Sequence, residues 1–462
     1  MADKKVHTSR TRRIAQVGRV AGGQGARSLA TKAANLGRSD EEAAAANAER
    51  QLEIAEQLVA LLGTMRGVAM KLGQTLSVAD FGIVPDEHRA EIQAKLAALQ
   101  DNAPKVPWKT MKSHIEKSLG DSVGDVFSAF DQEPVAAASI GQVYRATLHS
   151  GQEVAVKVQY PGIAHSVRSD LKNLRLFAPT AKGLFPGIDL RSIIDEIEER
   201  VLEELDYEHE ASNQRMMARA YRGHPFIRIP NVHTDLCTDA VLVSDWIEGH
   251  PLPTAYAWDQ ERRNRVAEII FRFYMGSPYT QRCFSGDPHP GNTLVLDDGS
   301  VAFIDFGLMK TISAESAEDE LAGLRAIADG DAERVVELFR AHGVKLSADR
   351  ITPDEVLEAL RYSQGWYILD EDPELTPAKA NEIAAHATDP SGPIYRVFKT
   401  ETLPDQHMVQ RRVELLVGTT IGQLQPTGVN FHRVAREWIF GEEPVTELGR
   451  EEAAWRGNSL RA

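Results

Sequence analysis

Residues 285–307 decide the fold of this chain, and their sequence is SGDPHPGNTLVLDDGSVAFIDFG. Two short apolar runs flank Asp298-Gly299, and an Asp-Gly pair between such runs is typical of a β-hairpin. This hairpin would return Asp305 beside Asn292. Phosphoryl transfer by kinases requires a carboxylate near the attacking hydroxyl, together with an Asn and a second Asp that hold magnesium against the triphosphate. We therefore predict that Asp287 is the catalytic carboxylate and that Asn292 and Asp305 bind Mg²⁺.

A second motif, upstream, indicates nucleotide binding. Kinase nucleotide loops follow the pattern G-x-G-x-x-G-x-V and precede a strand that carries a V-A-I-K lysine. Here the run Val-Ala-Val-Lys ends at Lys157, which is placed to hold the α- and β-phosphates. Alanines replace the first two glycines of the loop, and because alanine resists positive φ, the loop should approach the phosphates with less freedom. The predicted nucleotide-binding residues of the loop are Ala136, Ala137, Ala138, Ser139, Gly141 and Val143.

Two further segments would complete a kinase site. Residues 191–221 are predicted to form one long acidic helix. An active kinase pairs a helix glutamate with the strand lysine, and Glu210 is the candidate, although spacing alone favours a solvated acidic face. An apolar strand over residues 241–247 suits the linker between two kinase lobes, whose backbone receives adenine in kinases. Nucleotide contacts are therefore expected at Asp245, Trp246 and Ile247.

The residues after Gly307 argue against a protein substrate. Protein kinases place a long activation loop and an A-P-E anchor there, whereas this chain passes through residues 308–313 into another predicted helix. Apolar periodicity also predicts helices over residues 108–119, closed by Gly120, and over residues 261–275. The chain beyond residue 441 is predicted to be a loose polar tail.

Composition narrows the class of protein. The chain has 462 residues, of which 42% are hydrophobic, so it can form two or three domains with a sizeable core. The formal net charge of -15 argues against a general nucleic-acid-binding surface. Charge is uneven, because residues 1–39 hold nine basic side chains and one acidic side chain, a local charge of +8 against -23 elsewhere. We interpret that arm as a flexible basic segment.

Cysteine usage and hydropathy suggest the compartment. The two cysteines, Cys237 and Cys283, lack metal-ligand spacing and are predicted to be core residues in a reducing compartment. No apolar run approaches the roughly 18–20 residues that a membrane span requires, and the start lacks a signal-peptide core. The expectation is a cytoplasmic protein, either soluble or peripherally bound to a membrane.

These motifs together resemble the UbiB-type (AarF-like) atypical kinases, a family associated with coenzyme Q biosynthesis. The similarity covers roughly residues 52–441 and includes the family's K-x-G-Q motif as Lys71-Leu72-Gly73-Gln74 and its E-x-D motif as Glu204-Leu205-Asp206. The Ala-rich loop at residues 136–139 is a third family motif. From the residues alone, Lys71 and Gln74 would be solvated side chains of a long helix that begins near Ser39.

The resemblance implies specific roles. The K-x-G-Q helix would fold over the active site and meet the E-x-D motif, which makes Lys71, Gln74, Glu204 and Asp206 site residues. It also places Glu210 where the family's lysine-pairing glutamate lies. ATP or ADP and Mg²⁺ are the implied cofactors, and a prenyl lipid or quinone precursor is the implied ligand. Many bacterial members end in membrane spans, whereas this chain does not, so peripheral contact through the basic arm or an apolar surface is the expected membrane association.

The expected fold is α+β, a bilobal protein-kinase-like fold with an N-terminal helical extension that carries the K-x-G-Q motif. The predicted domains are a basic flexible arm at 1–40, the helical extension at 41–130, an N-lobe with inserted helices at 131–250, a helical C-lobe at 251–441 and a polar tail at 442–462.

The leading hypothesis is an atypical kinase-like ATPase or phosphotransferase that supports isoprenoid-quinone or lipid metabolism rather than phosphorylating proteins. A small-molecule kinase of the choline or aminoglycoside kind shares the G-D-x-x-x-x-N loop and lacks A-P-E, but it also lacks the K-x-G-Q motif and the Ala-rich loop. A nucleotide-sensing pseudokinase scaffold is the third hypothesis, since Ala136 and Ala138 would suit a switch. The sequence leaves the substrate and the oligomeric state open.

Overall fold

The structure, a computed structural model, describes residues 106–137, 140–181, 198, 202, 204–341, 351–370, 375–388 and 405–459. The predicted basic arm and the K-x-G-Q motif, with Lys71 and Gln74, lie outside these residues, as do Ala138 and Ser139. What was predicted for them stays a prediction.

Within the described ranges the chain mixes helices with short strands, as an α+β fold requires. The strands are β1 (Phe127–Phe130), β2 (Ala136–Ala137), β3 (Gly141–Leu148), β4 (Glu153–Gln159), β5 (Ile227–Arg228), β6 (Val241–Asp245), β7 (His250–Pro251), β8 (Cys283–Ser285), β9 (Thr293–Val295), β10 (Val301–Phe303) and β11 (Met309–Thr311). The helices are α1 (Trp108–Leu119), α2 (Val123–Val126), α3 (Ile163–Ala181), α4 (Tyr207–Ala220), α5 (Gln260–Phe271), α6 (Ser277–Thr280), α7 (Ala314–Asp329), α8 (Ala332–Ala341), α9 (Pro353–Ile368), α10 (Pro377–Thr388), α11 (Asp405–Leu424), α12 (Phe431–Ile439) and α13 (Glu447–Ser459).

The chain divides into two compact units. The first holds the described residues up to Gly151, those of Val156–Asp206, and Thr238–Val241. The second holds the described residues of Gln152–Ala155, Tyr207–Cys237 and Leu242–Ala462. The domain boundaries predicted from the sequence stay a prediction.

The first unit is built on an antiparallel ladder. β3 pairs antiparallel with β1, with Phe127 opposite Leu148, and with β2, with Ala136 opposite Val143. Helix α1 buries Met111 and Ile115, and it ends at Gly120, whose φ of +82° suits glycine at a helix C-terminus. The helix predicted over residues 108–119 is confirmed.

The second unit contains a four-stranded sheet in the order β5-β10-β9-β7 and a two-stranded β8–β11 ladder. The predicted hairpin is confirmed, since β9 and β10 are antiparallel with Val301 opposite Val295. Gly299 has a φ of +78° in the connecting turn, a conformation that a residue with a Cβ rarely adopts. The strand predicted to lead into the linker is also present as β6.

The helix predicted over residues 261–275 is present, with a change of winding inside it. α5 continues into a π-helical turn at Arg272–Gly276 before α6. All five residues of that turn are buried, and the Phe273 ring stacks on Phe303 of β10 with a centroid distance of 3.6 Å. The π turn therefore packs directly beneath the hairpin that leads to Asp305.

The single helix predicted over residues 191–221 is wrong as a continuous element. Leu205 and Asp206 are not helical, and α4 begins only at Tyr207. The periodicity was misleading because Leu205 is nearly buried, with 9% of its surface exposed, yet its backbone belongs to a break between helices. The break puts a carboxylate, Asp206, at the N-terminus of α4, where the helix dipole favours negative charge.

The loose tail predicted after residue 441 is also wrong. The segment forms α13, whose Leu448 is buried and whose Glu452 lies 3.0 Å from the guanidinium of Arg272. The polar composition of this segment suggested that it is solvated. The Glu452 carboxylate is nevertheless buried, because the buried guanidinium of Arg272 compensates its charge.

None of the helices in the described ranges is long and apolar enough to cross a bilayer. Of the two cysteines, Cys283 is buried as predicted, whereas Cys237 is partly exposed.

Candidate functional site

Two antiparallel ladders of the second unit bring the predicted magnesium and catalytic residues together. The loop with Asp287 and Asn292 connects β8 to β9, and the loop with Asp305 connects β10 to β11. β9 pairs with β10, and β8 pairs with β11, so both loops begin and end on paired strands. A hydrogen bond of 3.1 Å from the Ile304 amide to the Asn292 carbonyl extends the first ladder to the site.

The loop between β8 and β9, which carries Asp287 and Asn292 and is called the catalytic loop below, is stabilised by hydrogen bonds of its own side chains. Asn292 Nδ2 donates to the Asp287 carbonyl over 3.2 Å, and the Asp287 amide donates to Ser285 Oγ over 3.4 Å. His289 Nδ1 accepts from the Gly291 amide and caps the short 3₁₀ turn Pro290–Asn292. The predicted pair Asp287 and Asn292 is therefore brought together, with Asn292 at the end of the turn.

Glu210 lies beside the Asp-Phe-Gly segment. The glutamate is buried, with 2% of its surface exposed. A methyl group at Gly307 would lie 3.9 Å from Glu210 Oε2 and 3.5 Å from Asp305 Oδ1, so the two carboxylates flank this glycine. The next turn of α4 adds Asn213, whose Nδ2 donates to the Phe306 carbonyl over 3.1 Å. The reading of Glu210 as a solvated outer-face residue is wrong.

A buried tyrosine that the sequence reasoning missed lies below both loops. Tyr274, from the π turn, packs edge-on against Phe303 with a centroid distance of 5.4 Å. Burial raises the pKa of its phenol, and the negative charges of Asp287 and Asp305 raise it further, against a hydrogen bond with Thr293 that lowers it. The phenol is thus a neutral hydrogen-bonding group under the carboxylates. A π turn within a predicted helix has no sequence signal of its own.

Helix α11 supports the catalytic loop from the other side. Thr420 Oγ1 donates to the Pro288 carbonyl over 3.1 Å. There is no room for a side chain at position 286, because a Cβ added to Gly286 would lie 2.8 Å from Leu308 Cγ and 3.1 Å from Val409 Cγ1. The Gly286 amide donates to the Leu308 carbonyl over 2.7 Å, which closes the base of both loops.

The nucleotide loop of the first unit is partly described. Ala136 and Ala137 form the exposed strand β2, which pairs with Val143 and Gln142 of β3. Val143 is half-buried on β3, and Lys157 is half-buried on β4 between buried Val156 and Val158. Ala136 and Ala137 are thus part of a strand, where kinases have a flexible glycine-rich loop. The pairing of Lys157 with Glu210 stays a prediction.

The linker residues have protein partners of their own. Asp245 accepts hydrogen bonds from Gln152, Asn231 and His233, the shortest 2.6 Å from Gln152 Nε2. The Trp246 amide donates to the Glu153 carbonyl over 3.0 Å. Adenine contacts at Asp245, Trp246 and Ile247 stay a prediction, and the Asp245 side chain and the Trp246 amide already have protein partners there.

The residues at the two loops suit Mg²⁺ held with a nucleotide. Mg²⁺ prefers hard oxygen ligands and is usually bound through one or two carboxylates plus substrate phosphates. Asp305 and Asn292 supply such oxygens, and the concentration of negative charge at Asp287, Asp305 and Glu210 favours a cation. No group of three or more His, Cys, Asp or Glu side chains in the described part of the chain has metal-binding geometry.

The chain is similar to several known proteins. Residues 98–339 match the model of the ABC1 atypical kinase-like domain. The chain is 32% identical over 339 residues to the mitochondrial atypical kinase COQ8B of Rattus norvegicus, a match that covers 72% of this chain and 63% of that protein. It is 34% identical over 292 residues to the chloroplastic Protein ACTIVITY OF BC1 COMPLEX KINASE 8 of Arabidopsis thaliana, over 61% of this chain and 38% of that protein. The matches thus span less than two thirds of these relatives.

A solved structure is also similar. The complex of Rv3197 with erythromycin, from Mycobacterium tuberculosis, has a TM-score of 0.62 and 29% sequence identity, over 89% of this chain and all of that one. The matched family segment includes both loops of the site, α4 and the strand that carries Lys157. On this evidence the chain belongs to the UbiB family of ABC1 atypical kinase-like proteins.

Proposed function

We propose that this protein binds Mg-ATP, cleaves the bond to its γ-phosphoryl group, and supports isoprenoid-quinone or lipid metabolism rather than phosphorylating proteins. The observation that carries the proposal is the convergence of Asp287, Asn292, Asp305 and Glu210 on the ends of two paired ladders. Kinase-like phosphoryl transfer needs these residue types in one place.

Each residue has a role in that reaction. Asp287 would orient the attacking water or hydroxyl and accept its proton, while Asn292 and Asp305 would hold Mg²⁺. The bound ion would neutralise charge on the triphosphate as the bond breaks. Lys157 would hold the α- and β-phosphates with Glu210 as its partner, and the loop from Ala136 would cover them. By family resemblance, Lys71 and Gln74 would cover the site and meet Glu204 and Asp206.

The short path from Gly307 to α7 supports the absence of a peptide substrate. β11 begins at Met309 and pairs at once with β8, and Ser313 caps α7 through a hydrogen bond from the Ser316 amide. A protein kinase uses this stretch as a long platform for its substrate. Water, or a small or lipid-borne hydroxyl, is therefore the proposed acceptor.

The test is magnesium-dependent ATP hydrolysis by the purified protein, with and without liposomes that contain a quinone precursor. Stimulation of hydrolysis by these liposomes would support both the ATPase and its coupling to a membrane-borne ligand. Tight nucleotide binding without turnover under every condition would favour the pseudokinase scaffold instead.

A second candidate concerns the small-molecule ligand. A relative that is 29% identical was solved with erythromycin, which supports testing whether a macrolide binds this chain as well. Erythromycin is added to the hydrolysis assay and to a thermal-shift assay. Phosphorylation of the macrolide would favour the small-molecule kinase reading, whereas a thermal shift without product would identify it as a ligand.

A further inference from the structure

The strand that carries the predicted nucleotide lysine ends on a buried glutamine. Gln159 is the last residue of β4, and 5% of its surface is exposed. Its side-chain Nε2 donates to two backbone carbonyls, to Leu205 over 2.9 Å and to Asp239 over 3.0 Å. Its own amide donates to the Ala240 carbonyl over 2.9 Å. A carboxamide nitrogen has two hydrogens, so both are used.

Gln159 lies on the same face of β4 as Lys157. Side chains alternate between the faces of a strand, and the intervening Val158 and the preceding Val156 are fully buried on the other face. Lys157 is half-buried, as expected of a residue that faces a site. The glutamine therefore stands two residues from the lysine and projects in the same direction.

One of the two carbonyls that accept from Gln159, that of Leu205, belongs to the central residue of the E-x-D motif. Leu205 lies between Glu204 and Asp206, and its amide donates to the Leu202 carbonyl over 3.2 Å at the end of a helical turn. The backbone leaves the helix here, so the carbonyl needs a donor from elsewhere in the protein. Gln159 is this donor. Its hydrogen bond fixes the position of the backbone from which the Glu204 and Asp206 side chains extend.

We propose that Gln159 is a positioning residue, which ties the Glu204-Leu205-Asp206 segment to the strand of the nucleotide lysine and thereby sets nucleotide affinity and turnover. The role rests on the proposed function. Methionine at this position would fill the same volume without a donor, leaving the buried Leu205 carbonyl and the part-buried Asp239 carbonyl without the Gln159 hydrogen bonds. Glutamate would set a carboxylate against both of them until it is protonated.

The first test does not depend on ATP. Amide hydrogen exchange is measured in the full chain for native protein, Gln159→Met and Gln410→Met. Gln410 is the matched control because it is also 5% exposed and donates from Nε2 to one partner, Tyr279, over 2.7 Å. We expect exchange over residues 202–208 to accelerate about tenfold in Gln159→Met and to stay native-like there in Gln410→Met.

The second test is kinetic. Gln159→Met should lower kcat/KM for Mg-ATP about tenfold, a loss of one good buried hydrogen bond, while Gln410→Met should keep the native value. In Gln159→Glu, kcat/KM relative to the native protein should rise as the pH falls, because the protonated carboxyl regains one donor. A merely structural loss would not give this pH profile.

The two proposals fail in different ways. If the native protein hydrolyses ATP and Gln159→Met matches Gln410→Met in both exchange and kcat/KM, the positioning role is overturned while the proposed function stands. If the native protein does not hydrolyse ATP, the proposed function fails, and exchange over residues 202–208 alone decides whether Gln159 holds the motif.

Discussion

Asn213 Nδ2 donates a hydrogen bond to the backbone carbonyl of Phe306, with 3.1 Å between nitrogen and oxygen. Helix α4 and the Asp-Phe-Gly segment are thus joined by a buried contact one turn from Glu210. The helix that carries the glutamate and the loop that carries Asp305 are expected to move as one.

Replacing Asn213 with leucine removes this donor and leaves the Phe306 carbonyl without its side-chain donor. We expect magnesium-dependent turnover to fall about tenfold, because Asp305 is no longer held relative to Glu210. Steady-state ATP hydrolysis measures this. Asn264→Leu is the control, since Asn264 also donates from Nδ2 to a carbonyl, that of Thr427 over 2.8 Å, outside the site. Equal losses in the two variants would contradict the assigned coupling.

Gly286 is required by close packing at the base of the catalytic loop. In Gly286→Ala the new Cβ would lie 2.8 Å from Leu308 Cγ, so the β8–β11 end must shift. We expect about 1–3 kcal/mol of destabilisation and a loss of turnover. Gly323→Ala is the control, because it adds a methyl group to the interior of α7 with nothing within 4 Å. It should be neutral or stabilise by about 0.5–1 kcal/mol in chemical denaturation. Similar destabilisation of both variants would argue against the steric account.

Arg272, on the π turn, organises the C-terminal helix. The residue is buried, with 2% of its surface exposed. Its guanidinium pairs with three carboxylates, those of Glu268, Glu437 and Glu452. Burial alone would raise the pKa of Glu452, but His224, Arg456 and Arg272 together lower it to about 2. Arg272→Met would leave buried acids without their cation.

We expect Arg272→Met to cost about 3–5 kcal/mol of unfolding free energy. Arg334→Met, which breaks an exposed pair with Glu337, should change it by less than about 0.5 kcal/mol. Urea denaturation followed by fluorescence gives both values. A change at Arg272 as small as that at Arg334 would mean that α13 does not depend on this ion pair.

His224 should make stability depend on pH. Its Nε2 lies 3.7 Å from Glu452 Oε1, and burial lowers the pKa of the imidazole despite that carboxylate, with Arg456 and Arg228 lowering it further. In the unfolded chain the pKa is near 6.5, so below that pH the unfolded state binds the proton first. The unfolding free energy should therefore fall as the pH drops from about 7.5 to about 5.

This fall should be smaller in His224→Gln than in the native protein. His250→Gln, at an exposed histidine, is the control and should keep the native dependence. Denaturation curves at each pH give the comparison. The same pH dependence in His224→Gln and native protein would show that another group is responsible.

Much of the site followed from local sequence. The hairpin was predictable because Asp298-Gly299 specifies its turn, and once β9 and β10 pair, Asp305 must return to Asn292. The spacing of Lys157 from the loop predicts its role, which stays a prediction. Alternation along β4 and a polar residue two places after the lysine could have drawn attention to Gln159, but the partner carbonyl at Leu205 is fixed by tertiary structure.

What sequence reasoning missed depends on long-range partners. Glu452 looks like a solvated residue until Arg272, far away in the chain, is placed beside it. Tyr274 looks like a core aromatic, because no local pattern announces a π turn that aims its hydroxyl at Thr293. The break before α4 was missed because apolar periodicity continues through Leu205 although the backbone does not remain helical.

The central claim is that Asp305 supports magnesium-dependent cleavage of ATP, and Asp305→Asn tests it most directly. Asp297→Asn is the matched control, because Asp297 lies in the turn of the same hairpin and its side chain is 91% exposed. Phosphate release is measured for both variants with and without Mg²⁺. We expect Asp305→Asn to abolish the magnesium-dependent rate and Asp297→Asn to keep it. Native turnover in Asp305→Asn would contradict the account.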